Sequence, residues 1–224
     1  MFFRRLIIFW VDEIGGDMIL SKWILNENDA DIKLMSKVLK TSEMMSHLLA
    51  NRGIRSKNAA IKYLNPKMEF LHDTNKMKDV QKAIEIITLS KEMGDKIVVY
   101  GDYDVDGVMS TTILVKALSE FGCEVSYYIP HRENEGYGLN CDAVKQIKEF
   151  EADLLITCDN GIASIDEILL AKQLGMKVIV IDHHEPGFVE NDDGEKVDVI
   201  PKADAFIDPK QKDCDYPFDK MCAA

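Results

Sequence analysis

The 224-residue chain has little that could cross-link it. Its five cysteines (Cys123, Cys141, Cys158, Cys214 and Cys222) are odd in number and include no Cys-x-x-Cys pair. That argues against a disulfide framework and against a zinc ribbon. It fits a reducing, cytosolic setting. Long apolar runs are missing too. Near the start, Leu6–Val11 is cut short by Asp12 and Glu13, too soon for a secretory core or a membrane span. Met18 opens a more ordinary start, so residues 1–17 read equally well as an upstream extension. Basic residues are scarce: 27 Lys and Arg stand against 39 Asp and Glu, a net charge of −12. A chain of that sign does not coat nucleic acid generically. It can still be a nucleic-acid enzyme whose carboxylates hold metal ions. Aromatics are only 8%, but the hydrophobic fraction of 46% is globular rather than disordered. No internal repeat or low-complexity stretch occurs.

The charge is unevenly placed. Residues 1–96 carry 13 acidic and 16 basic residues, whereas residues 97–224 carry 26 and 11. Two regions of different surface character follow. In the first, apolar periodicity predicts helices over 29–50 and 56–64, separated by the turn signal Asn51–Gly53, with a third over 79–93. Residues 1–78 are expected to form an N-terminal extension and small helical section, and residues 79–224 the main lobe. After Lys96 the texture alternates. Strands are predicted at 97–100, 124–129, 153–157 and 177–181. Helices are predicted between them at 108–121, 141–150 and 165–174. That pattern predicts an α/β fold with a parallel sheet and helices on both faces. From Gly187 onward the reading is polar loop with one weak strand at 197–200.

Ligands of an open parallel sheet bind beyond the carboxyl ends of its strands. The four strands are followed by Gly101-Asp102-Tyr103-Asp104-Val105-Asp106-Gly107, by Pro130-His131-Arg132, by Cys158-Asp159-Asn160-Gly161 and by Asp182-His183-His184. Aspartates crowded on one rim repel unless a counter-ion joins them. Oxygen ligands with one or two imidazoles suit Mn²⁺ or Mg²⁺, and several shared carboxylates suggest two ions.

Each piece has a plainer reading. Asp106 serves equally well as a helix N-cap, Asn160-Gly161 as an ordinary turn, and Arg132 as a solvated arginine. Arg132 on this rim is otherwise a phosphate clamp, and Tyr137 in Gly136-Tyr137-Gly138 a stacking platform. An EF-hand loop would need Glu where Ile113 stands. A haloacid-dehalogenase-like phosphatase would leave the histidines without work.

These motifs resemble the DHH phosphoesterases, for which Asp182-His183-His184 is the naming triplet. Asp102-Tyr103-Asp104 looks like their first motif and Asp159-Asn160-Gly161 like their second. The longer runs YGDYDVDGVMSTTIL, YYIPHRENEGYGLN, LLITCDNGIAS and VIVIDHHEP are similar to the RecJ-type single-strand-specific DNA exonucleases, as is the lead-in NRGIRSKNAAIKYLNPKMEFLHD. Val98 stands where pyrophosphatases and small-nucleotide phosphodiesterases of the wider family carry histidine, which favours the exonuclease branch.

The resemblance implies a 5′-to-3′ exonuclease acting on single-stranded DNA in repair and recombination, with two divalent cations, Mn²⁺ or Mg²⁺. It implies Asp102, Asp104, Asp159 and His183 as metal ligands, with Asp106 as a further acidic candidate. His184 is expected at the scissile phosphate or orienting a neighbour, and Asp182 supporting both histidines. His131, Arg132, Tyr137, Asn160 and Gly161 are the expected contacts to substrate phosphate. Further partners would be repair proteins, with no membrane, and the oligomeric state is left open. The family pattern continues past Ala224 with another metal-binding Asp, so the resemblance implies a lobe incomplete at its C-terminal end. Two alternatives stand beside this reading. One is a phosphodiesterase on cyclic dinucleotides or short oligonucleotides. The other is a non-cleaving lobe that binds single strands or a partner.

Overall fold

A computed structural model of the chain describes residues 9–14, 17–22, 30–191 and 194–224. The chain divides into two compact units, Met1–Leu71 and His72–Ala224.

In the first unit, strands β1 (Phe9–Ile14) and β2 (Asp17–Lys22) pair as an antiparallel hairpin. Three short helices follow: α1 (Ile32–Leu39), α2 (Glu43–Asn51) and α3 (Lys57–Leu64). The single helix expected over 29–50 is thus two helices. Lys40 takes a left-handed conformation that closes α1, and the Ser42 hydroxyl accepts from the Met45 amide to start α2. Residue 29 lies outside the described residues.

The second unit holds a five-stranded parallel sheet. Its strands are β3 (Lys96–Tyr100), β4 (Glu124–Tyr128), β5 (Leu154–Cys158), β6 (Lys177–Ile181) and β9 (Ala205–Ile207), in the order β4-β3-β5-β6-β9. The interleaved helices are α4 (Val80–Met93), α5 (Val105–Phe121), α6 (Cys141–Glu149) and α7 (Ile165–Gln173). Side chains alternate across the sheet with the period of two that a strand imposes. Val98, Tyr100, Leu155, Val178, Val180 and Phe206 pack with α6 and α7. Ile97, Val99, Leu154, Ile156, Ile179 and Ala205 pack with α4 and α5 on the other face. Continuous apolar runs such as Leu154–Cys158 are therefore buried from both sides.

The C-terminal part is more ordered than its polar composition suggests. The weak strand expected near 197–200 is β8 (Lys196–Val199), paired antiparallel with β7 (Gly187–Glu190). The fifth sheet strand, β9, has no counterpart among the expected strands. Its three residues are too short for a periodicity to show, yet it pairs parallel with β6. Among the described residues no helix is long and apolar enough to cross a membrane.

Candidate metal centre

The carboxyl ends of β3, β5, β6 and β9 lie side by side, and each is followed by an aspartate: Asp102, Asp159, Asp182 and Asp208. Parallel pairing in register brings chain segments tens of residues apart to one rim.

Asp159 is where they meet. It adopts a left-handed backbone, φ 62°, unusual for a residue with a Cβ and characteristic of sites that hold a side chain in one place. Two ligand sets share it. Asp102, Asp104 and Asp159 offer oxygens that lie within 4.8 Å of one another, as do the ligand atoms of Asp159, His183 and His184. His183 Nε2 stands 3.0 Å from Asp159 Oδ1 and 3.7 Å from Asp106 Oδ2. Burial, followed by repulsion from Asp106, pushes the Asp159 carboxyl up to about 6.

Asp102 is 1% exposed, and neither of its oxygens has a hydrogen-bond partner of normal geometry. Burial raises its pKa, and the neighbouring Tyr103 and Asp104 amides offset only part of that. Two buried, unsatisfied carboxylate oxygens are costly in a folded protein, and a divalent cation removes the cost. The donor set is oxygen-rich with two imidazoles, which suits a hard or borderline ion.

The tightness of the first loop comes from Gly107. A Cβ there would lie 2.5 Å from the Asp102 carbonyl oxygen, so only glycine lets α5 begin this close to the loop. Asp104 caps α5, one oxygen accepting from the Gly107 amide at 3.0 Å. The expected N-cap alternative for Asp106 is therefore corrected. Helix α5 starts earlier than 108, and Asp106 sits in its first turn.

The two histidines are held differently. Asp182 is buried, and its Oδ1 accepts from the His183 amide, the His184 amide and His184 Nδ1, the last at 2.7 Å. Its Oδ2 accepts from the Ile162 amide at 2.9 Å. His184 Nδ1 thus carries the proton, and its Nε2 lies 3.4 Å from the Tyr137 hydroxyl. His183 Nδ1 lies 2.8 Å from the Met221 carbonyl oxygen. A carbonyl only accepts, so Nδ1 donates and Nε2 is the atom turned to Asp159.

With this geometry in view, the comparisons with known proteins decide the family. Residues 96–224 match the DHH family, N-terminal domain. The chain belongs to the DHH family. Single-stranded-DNA-specific exonuclease RecJ of Bacillus subtilis (strain 168) is 37% identical over 201 residues, which are 89% of this chain and 24% of that protein. A crystal structure of RecJ in complex with Mn²⁺ from Thermus thermophilus superposes with a TM-score of 0.60 at 26% identity, covering 86% of this chain and 25% of that one. A crystal structure of exonuclease RecJ bound to manganese gives a TM-score of 0.53 at 32% identity, covering 62% and 35%. The chain spans about a quarter of the length of the Bacillus relative.

Around the DHH triplet, the expected phosphate contacts divide. Tyr137 joins the centre: its hydroxyl is 3.4 Å from the Asp159 carbonyl, and its ring meets those of His184 and Tyr103 edge-on. Arg132 is exposed, and its guanidinium carbon lies 5.3 Å over the Tyr103 ring, a cation–π contact. Tyr137, Asn160, Ser164 and His184 line a cleft of about 340 Å³.

The other three expected contacts also carry the local turns. Asn160 is buried, and its Nδ2 donates to the Cys158 carbonyl at 2.9 Å while its Oδ1 has no partner. Gly161 has φ 112°, and a Cβ there would lie 2.5 Å from Thr157 Oγ1. Its role is to let the chain turn beneath the site. The exposed His131 donates its amide to Glu135 Oε2 at 2.7 Å, and its ring Nδ1 faces the Glu133 amide within its own turn.

Sequence reasoning misses two residues of the site. Tyr103 sits inside the first motif with no role assigned to it, yet its ring links Arg132 to Tyr137. Asp208 is fully buried, one oxygen accepting from the Lys210 amide and the other without a partner. Burial pushes its carboxyl up to about 6. Its signal is the same strand-then-aspartate pattern, on a strand too short to recognise.

Proposed function

We propose that the chain is the catalytic lobe of a metal-dependent exonuclease that hydrolyses phosphodiester bonds of single-stranded DNA from the 5′ end. We propose that it acts in the cytoplasm, in repair and recombination. The observation that carries this reading is the sharing of Asp159 between two ligand sets. A carboxylate common to two sets suits a pair of closely spaced cations better than one. Asp102 and Asp104 would hold one Mn²⁺ or Mg²⁺ with Asp159. His183, with His184 beside it, would hold the other with Asp159, and Asp106 stands close enough to join it. When bound, such a pair neutralises charge at phosphorus and supplies a water acidic enough to attack near neutral pH.

The protein's own groups do the positioning. Asp182 fixes the His184 ring: with its proton on Nδ1 the ring offers Nε2 as an acceptor to a cation, and as imidazolium Nε2 donates to a phosphate oxygen. Tyr137 and Tyr103 offer ring faces and edges for bases or sugars, and single-strand binding by stacking tolerates any sequence. Arg132 supplies a fixed positive charge for a phosphate. The overall charge of −12 confines binding to such local features.

The test is product analysis with Mn²⁺ on a 5′-labelled single strand, on the matching duplex and on a cyclic dinucleotide. Release of nucleotides from the single strand alone is the expected result. Preferential cleavage of the cyclic dinucleotide would favour the phosphodiesterase alternative. Binding of the single strand without cleavage would favour the non-cleaving one.

A further inference from the structure

We infer that residues Met221–Ala224 act as a backbone strap that positions two ligands of the metal centre at once. The Met221 carbonyl accepts from His183 Nδ1 at 2.8 Å. The Ala223 amide donates to Asp106 Oδ2 at 2.9 Å, and the Ala224 amide donates to Asp106 Oδ1, also at 2.9 Å. The inference rests on the metal-site reading above. It adds a positioning element that no motif residue supplies.

Three features make these contacts more than a loop resting on a surface. First, they join the loop to side chains from two different places, one after β6 and one in the first turn of α5, 38 and 117 residues away in sequence. Second, all three use backbone groups of the strap, so side-chain identity matters only through size and amide availability. Ala223 and Ala224 are small enough to let the backbone come within hydrogen-bond distance of Asp106. Third, each contact fixes what a ligand needs. The carbonyl holds His183 with its proton on Nδ1, leaving Nε2 for a cation beside Asp159. The two amides divide the Asp106 carboxylate between them and lock its plane. One oxygen still stands 3.7 Å from His183 Nε2, and each retains a lone pair. The strap therefore ties the His183 and Asp106 orientations together, and neither is set by its own strand or helix alone.

The test replaces the Ala223 amide. Ala223→Pro removes the donor to Asp106, while Ala223→Gly keeps it. In metal-free protein, ¹⁵N spectra of His183 are expected to show an Nδ1–H ring. The Ala223 and Ala224 amides are expected to exchange at least tenfold more slowly than those of exposed loops. Ala223→Pro is expected to weaken Mn²⁺ affinity by about 10-fold or more and to let the His183 tautomers mix, with Ala223→Gly restoring affinity to within about threefold. A freely exchanging pair of amides, or an Nε2–H ring at His183, would overturn the strap whatever the metal data show. Wild-type Mn²⁺ affinity in Ala223→Pro would overturn it as well. Failure of the unaltered protein to bind Mn²⁺ would instead overturn the metal reading, while exchange and tautomer data still decide the strap.

Discussion

His183 Nε2 faces Asp159 Oδ1 at 3.0 Å across 24 residues of chain, while the opposite ring nitrogen donates to the Met221 carbonyl. In the metal-free protein both atoms of the close pair are acceptors unless a proton lies between them. The Asp159 carboxyl, pushed up to about 6 by burial, is suited to share it.

Replacing Asp159 by Asn should therefore separate stability from activity. Both ligand sets lose their common member, so turnover on single-stranded DNA should fall by at least about a thousandfold, or about 4 kcal/mol of transition-state stabilisation. The metal-free variant should nevertheless melt at or above the unaltered protein's temperature, because a buried, repelled carboxylate is gone. Turnover and thermal unfolding in a chelator check both halves. A variant that melts much earlier would show that Asp159 is chiefly structural.

Asp208 gives a pH-dependent outcome. Burial pushes its folded carboxyl up to about 6, against an ordinary value of 3.8. The folded state thus binds more protons than the unfolded state between these values, and stability is lost as pH rises through them. Asp208→Asn keeps the acceptor for the Lys210 amide and removes the charge. It should stabilise the protein at pH 7 by as much as about 2–3 kcal/mol, an upper bound set by the full shift. The gain should shrink as pH falls from 6 toward 4. Denaturant unfolding of both forms across that range measures it, and a gain independent of pH would contradict a buried carboxylate as its origin.

The fold and most of the centre were legible in the sequence for a physical reason. Strands buried on both faces leave unbroken apolar runs, and Leu154–Cys158 or Lys177–Ile181 can be read without any partner. Where such a strand ends, the next residues face the rim, so Asp102, Asp159 and Asp182 were identifiable from position alone. What could not be read depends on distant contacts. Strand β9 is defined by pairing with β6. The break between α1 and α2 falls at Lys40, which becomes left-handed without the glycine that would have announced it. The bond from the Asn160 amide to the Cys158 carbonyl is likewise set by the folded turn. The hold of Ala223 and Ala224 on Asp106 crosses more than a hundred residues and leaves no local pattern.

Asp182 and His184 should behave as one unit. Asp182→Asn removes the carboxylate that accepts His184 Nδ1–H, freeing the ring to change tautomer. A loss of about 10- to 100-fold in turnover is expected, the usual range for a partner that orients a site histidine. His184→Ala should cost as much or more, and the double variant little beyond the larger single effect. A double-mutant cycle gives the coupling, and full additivity would mean that Asp182 acts elsewhere.

Arg132 lies on the exposed side of Tyr103 and contributes little to the fold. Arg132→Ala should leave the melting temperature within about 1–2 °C and weaken single-strand binding. It should also flatten the slope of log affinity against log salt by about 0.7, one phosphate contact on a single strand. An unchanged slope with a lower melting temperature would make Arg132 a structural partner of Tyr103.

The central claim is that one carboxylate, Asp159, serves two cations. Manganese titration followed by electron paramagnetic resonance tests it most directly, because two Mn²⁺ ions bridged by a carboxylate give a spin-coupled spectrum and isolated ions do not. At saturation the protein should bind two ions per chain with a coupled signal, and Asp159→Asn should abolish the coupling. A single uncoupled ion in the unaltered protein, or a coupled pair that survives Asp159→Asn, would contradict the account.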